Sequence, residues 1–276
     1  MENPSRRGFL TACVMLGSTG LAGCSGRIDG SDTELDVVYP PKEVSDGLWV
    51  GIDKSVVSFE REGLSGAGAA RTYTNNRIAD ALRKRFAGQF SRPLVLGFAV
   101  NLRYQGVGSS LVTAGTLHDE TKPIILDRMK KEGITDISEL AESTYSNDGR
   151  PDPETKWNKG EAYSEFLASY SAPKRPVTFE LEEFGEQTLI FPQREIPMRI
   201  LYFVRDLTGV GTDGSALVLG GVYPVSNYRN EASTELKRQG NSSISIRIDL
   251  NTGLNLQKAR RELVERFINE LLSEGL

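Results

Sequence analysis

The chain of 276 residues contains two cysteines and one histidine, and this scarcity removes whole classes of chemistry. Blue-copper centres, haem and iron–sulfur ligation, structural zinc and the usual catalytic zinc sites each need several cysteine or histidine ligands. Cys13, Cys24 and His118 cannot make such a set, so the sequence predicts neither a metal nor a cofactor. A Gly-x-Ser-x-Gly elbow is missing from Cys24 onward, which leaves the single histidine no recognisable nucleophile to serve. A strong charge of one sign is missing too: 33 Lys plus Arg face 37 Asp plus Glu, with a sequence pI near 5.4. The basic clusters Arg83-Lys84-Arg85 and Lys130-Lys131 read as solvated helix faces, without the aromatic interleaving that nucleic-acid binding requires. No nucleic-acid partner is expected.

What is present is concentrated at the N-terminus. Ser5-Arg6-Arg7-Gly8-Phe9-Leu10 has the form of a paired-arginine export signal, with Arg6, Arg7, Phe9 and Leu10 as its readable residues. Leu21-Ala22-Gly23-Cys24 has the form of a lipobox. Thr11 to Gly20, between them, is too short to span a bilayer as a permanent helix. The competing reading, a buried first helix over residues 9–23, lacks an amphipathic stripe. Gly17, Gly20 and Gly23 would each cost such a helix about 1 kcal/mol relative to alanine. Residues 1–23 are therefore expected to be a removed signal peptide, handled by the twin-arginine translocase. Cys24 becomes the lipid-bearing first residue, and a two-chain lipid there holds a protein stably on a membrane. Cys13 leaves with the signal and Cys24 is capped, so the mature body has no thiol and no disulfide. Its stability must rest on its core, which a chain of roughly 250 residues is long enough to build.

Ser25 to Asp32 is polar and glycine-containing, and residues 24–32 read as a tether. Residues 33–276 then read as an α+β domain: an antiparallel sheet with about four packed helices. Strands are expected over Leu35–Tyr39, Leu48–Ile52, Ser55–Glu60 and Leu94–Tyr104, with a mobile hairpin loop at Gly63–Gly68. In the second half they are expected at Val177–Leu181, Met198–Val204, Ala216–Tyr223 and Ile244–Leu250. Helices are expected over residues 76–88, from Thr121 to Glu132 with Gly133 as the stop, and as a short element opened by the capping-box spacing of Asp136-Ile137-Ser138-Glu139. The last runs from Leu256 to Leu272. Leu256, Leu263, Phe267 and Leu271 form its buried stripe, and Lys258, Arg261, Glu262, Glu265 and Arg266 pair on its wet side, so it docks on the sheet.

Few residues stand out as chemistry. His118, in Thr116-Leu117-His118-Asp119-Glu120, reads as a surface residue beside carboxylates, with a base or a ligand shared with Asp119 and Glu120 as the functional alternative. The polar stretch 143–160 is a possible sub-boundary or a surface excursion. Asp148, Asp152 and Glu154 within it lack the regular spacing of a calcium loop, and Trp157 is a possible contact residue. Asn241-Ser242-Ser243 is an N-glycosylation acceptor pattern. No catalytic residue is assigned.

The N-terminal run SRRGFL…GSTGLAGCSG resembles the exported lipoproteins of halophilic archaea. Ile200 to Asp206, a glycine-rich turn and Ala216 to Pro224 are similar to the closing hairpin of an uncharacterised lipoprotein family of those organisms. A large acidic excess, usual in halophile proteins, is absent here. The resemblance implies a lipid-anchored protein on the extracytoplasmic face of the cell membrane, without implying an activity. The expectation is thus a non-catalytic domain that binds a solute or an envelope protein. The alternative is an envelope hydrolase working with carboxylates alone, such as a glycosidase, drawing on Asp148, Asp152, Glu154, Glu182, Glu183 or Asp206.

Overall fold

The computed structural model describes residues 48–61, 63–85, 94–106, 112–140, 161–207, 214–237, 243–251, 253 and 256–274. The signal, Cys24, the tether, the stretch 143–160 with Asp148, Asp152, Glu154 and Trp157, the expected strand Leu35–Tyr39 and Asn241 lie outside them.

Among the described residues eleven strands dominate: β1 Trp49–Arg61, β2 Leu64–Asn75, β3 Leu96–Gly106, β4 Ile134–Glu139, β5 Glu161–Ala172, β6 Arg175–Leu181, β7 Gly185–Phe191, β8 Arg194–Asp206, β9 Gly214–Pro224, β10 Arg229–Lys237 and β11 Ser243–Asn251. Seven form one antiparallel sheet in the order β1-β2-β3-β9-β8-β5-β4, while β6-β7 and β10-β11 are separate hairpins. Helix α1 is Asn76–Arg85 and α2 is Ala114–Lys131. Helix α3 runs without a break through Leu256–Arg260, Arg261–Ile268 and Asn269–Glu274, its middle segment wound as a π-helix.

These elements overturn the α+β expectation of an antiparallel sheet with about four packed helices. The described residues are 64% strand and 23% helix, with three helices. The lost helix is the one read from Asp136-Ile137-Ser138-Glu139. These residues belong to β4, which pairs with β5 through Ile134↔Tyr170 and Glu139↔Phe166, with a register shift between Thr135 and Ser138 where Asp136 takes φ 51°. A four-residue capping pattern carries little free energy without an apolar helical run behind it. Here Ser138 and Glu139 pair instead with Leu167 and Phe166 of the neighbouring strand. The glycine-containing segment after Gly63 is likewise not a loop: Leu64 to Gly68 pair with β1 on one side and β3 on the other. The two short strands expected over 48–60 are one, with a register shift between Gly51 and Asp53.

Alternation within a strand sends successive side chains to opposite faces, and this arranges the layers. Gly97 faces α3: a Cβ there would lie 2.6 Å from the Phe267 ring. Its neighbour Phe98 points the other way and stacks on Tyr202, centroids 6.4 Å apart, beneath α2. Gly221, paired with Gly97, also faces α3, against Leu263. The sheet is therefore sandwiched between the two helices, which explains why β3, β8 and β9 are apolar on both faces. Phe267 lies between Trp49 and Tyr73, at 4.7 and 5.3 Å. Glu262, expected on the wet side of α3, is buried there, reached by Asn75 Nδ2 at 3.4 Å and by Arg266 at 3.5 Å. Asn75 also caps α1 by accepting from the Ile78 backbone N–H.

The two hairpins share a small core of their own, made of Leu189, Phe191 and Ala232 packed with Val177, Phe179, Ile246, Ile248 and Leu250. Asn230 Nδ2 donates to the Pro192 carbonyl and ties this unit to the chain entering β8. The segments flanking 143–160, β4 and β5, are neighbours in the large sheet.

Candidate functional site beneath helix α2

Helix α2 begins seven residues earlier than its sequence suggests. Thr113 is the cap, accepting from the Thr116 backbone N–H at 3.2 Å, and Pro123 sits well inside rather than in the first turn. The extra turns carry Leu117, His118 and Thr121 onto the sheet, all buried. His118 is 6% exposed, so the surface reading of this residue is wrong. Its ring packs 4.9 Å from Tyr202. Nδ1 lies 3.2 Å from a carboxylate oxygen of the exposed Asp119. Nε2 is buried and has no hydrogen-bond partner. Glu120, the other carboxylate expected to share a ligand, instead receives Arg61 at 2.8 Å.

Polar groups from three strands surround this ring. Thr121 donates to the Leu117 carbonyl and meets the Tyr202 hydroxyl in a short contact. Ser164, the cross-strand partner of Tyr202, donates to Glu139 Oε1 at 2.7 Å. Lys122 reaches Glu139 Oε2 at 3.3 Å. Burial lowers the His118 pKa, helped by Lys122 and opposed by Asp119. Burial would raise the Glu139 carboxyl, but the hydrogen bonds from Ser164 and Lys122 outweigh it and hold the group below its ordinary value. Burial pushes the Tyr202 phenol well above its usual range. At neutral pH the site thus holds a neutral imidazole, an ionised carboxylate and a neutral phenol. The Ser164 hydroxyl proton is committed to the carboxylate.

Towards the C-terminal end of α2 the same seam becomes apolar. A cavity of about 70 Å³ is lined by Ile52, Leu94, Leu96, Ile134, Met198 and Val222 among others, with Asp53 and Glu132 also on its wall. A second, of about 20 Å³, shares Thr72, Leu96 and Glu132. Arg128 closes its outer side by bonding Ser55 and Asp53 on β1. Ligand pockets usually enclose about 300–1,000 Å³. This one has room for a short aliphatic group.

The carboxylates proposed for a hydrolase are not assembled by the described residues. Glu182 and Glu183 occupy the turn between β6 and β7, while Asp206 ends β8 and accepts from the Tyr104 hydroxyl at 3.0 Å. No group of three or more His, Cys, Asp or Glu side chains fit to hold a metal occurs among the described residues. Tyr202, Thr121, Glu139 and Ser164 escaped the sequence reading. Each is an unremarkable polar residue in its own segment, and only the β5–β8 register and the extra turns of α2 bring them together. No protein-family model, curated protein or solved structure matches this chain.

Proposed function

We propose that this chain is a lipoprotein held on the extracytoplasmic face of the cell membrane through Cys24, whose folded body works by binding rather than by catalysis. The observation that carries the reading is the ordered N-terminal sequence: Arg6-Arg7 followed by Phe9-Leu10, a short apolar stretch and Leu21-Ala22-Gly23-Cys24. Among the described residues no helix is long and apolar enough to cross a membrane; the lipid on Cys24 is read from the N-terminal sequence alone. Support for binding comes from the cavity that adjoins the seam beneath α2, which is lined mainly by apolar side chains. The resemblance to haloarchaeal lipoproteins fits the same reading.

Mass spectrometry of the protein recovered from washed membranes tests the anchor. The expected product starts at Cys24 and carries the mass of a lipid, and Cys24→Ala should release the body from the membrane fraction. Full-length chain with Met1 attached, fractionating identically with and without Cys24, would remove the proposal. A substitution of Arg6 and Arg7 by lysine should trap the precursor in the cytoplasm.

A further inference from the structure

We propose that His118 is an acid-released clasp: a neutral imidazole keeps the N-terminal half of α2 seated on the sheet, and a proton on that ring lifts it. The geometry carries the argument. The ring is wedged between α2 and the Tyr202 face of β8, and its Nε2 is buried without an acceptor. A second N–H there gains a positive charge and nothing to donate to, in a place that water does not reach.

The groups around the ring do little to welcome the charge. On α2 itself, Asp119 is mostly exposed and Lys122 repels. From β4, Glu139 attracts the ring too, less than Asp119 does, but it already receives Ser164 and Lys122. From β8, Tyr202 presents a phenol engaged with Thr121. From β1, Arg61 is turned to Glu120, and Asp53 to Arg128 at the far end of the helix. On β5, Ser164 faces the seam, while Glu161 and Glu165 lie on the opposite sheet face with Arg205 and Arg199.

The sign follows from the burial. An exposed imidazole takes a proton below about pH 6.5, and the buried one resists it. Above that value neither state carries the proton and the clasp is fully closed. Below it the open state gains the proton first, so opening becomes more frequent as pH falls. At pH 5.0 the opening equilibrium rises up to about thirty-fold over its value at pH 7.5. His118 is the one histidine of the chain, so no second imidazole confuses the readout.

Hydrogen exchange of the full chain at pH 7.5 and 5.0, corrected for the intrinsic pH dependence of exchange, tests this. The expected result is a loss of protection at pH 5.0, of up to about thirty-fold, over residues 114–125 in the native sequence, with β3 and β9 unchanged. His118→Phe should show no such loss. Equal loss in both proteins, or none in the native one, overturns the proposal. A direct NMR titration of the one imidazole in the native protein keeps the test independent of the variant's folding. A ring that titrates at or above its ordinary value while α2 stays docked also overturns it.

Discussion

Thr121 and Tyr202 join α2 to β8 through hydroxyls that are both buried, and the two ends of this contact are not equivalent. Thr121 has a second partner, the Leu117 carbonyl at 2.5 Å. Tyr202 has Thr121. Replacing Tyr202 with Phe should therefore cost about 0.5–1.5 kcal/mol, the net value of an ordinary hydrogen bond. Thr121→Val strands a phenol under the helix and should cost about 1–3 kcal/mol. Urea denaturation of both variants measures the difference, and a larger loss for Tyr202→Phe would show that the stranded phenol is not what sets the cost of breaking this contact. None of this was legible in the sequence. His118 looked exposed because Asp119 and Glu120 follow it, and a polar run reads as surface until its helical phase is known. With α2 started at Thr113 rather than Thr121, the phase places Leu117, His118, Thr121 and Ile125 on one side.

Contact between elements depends on two glycines. Gly97 and Gly221 sit opposite each other on β3 and β9 and let α3 come down on the sheet. A Cβ on Gly97 meets the Phe267 ring, at 2.6 Å, a side chain rather than backbone, though one held between Trp49 and Tyr73. A Cβ on Gly221 meets the Leu96 backbone carbonyl at 2.2 Å, as well as Leu263 at 2.6 Å. Both substitutions by alanine should destabilise, by about 1–3 kcal/mol for overpacking, with Gly221→Ala the worse because a backbone must move. Thermal unfolding of the two variants decides the order. The stripe of α3 was readable from spacing alone: Leu263, Phe267 and Leu271 are all buried. Glu262 was not, because the pairing rule for charges one turn apart says nothing of an asparagine at the end of a distant strand. Helix signals of four residues failed where a strand partner was waiting, as β4 shows, whereas long alternating runs such as Val177–Leu181 and Ile244–Leu250 carried over as strands.

The molecule as a whole divides its core unequally. The large cluster spans the seven-stranded sheet and all three helices, while β6, β7, β10 and β11 share a core with three fully buried apolar residues. Local opening follows buried apolar contact. Amides of these four strands should exchange well before those of β3, β8 and β9 at neutral pH. Uniform protection across both units would show that they open together. The strands β1, β3, β6, β8, β9 and β11 were legible from their apolar patterning, while β2, β4, β5, β7 and β10 were not. The strand order was hidden: β5 pairs with β8 across an inserted hairpin, and β3 pairs with β9 across β4 to β8. Pairing of that kind is set by the whole packing, which no local window contains.

That last pairing shapes how the chain must come into being. Leu96 finds its neighbour in Val222, so a growing polypeptide on the ribosome carries β1, β2 and β3 as an incomplete leaflet until β4 to β9 have been made. Distant partners of this sort slow folding and leave an unprotected rim during synthesis. The export route proposed from the paired arginines, one that takes only finished proteins, would give this late closure time to happen before the membrane is crossed.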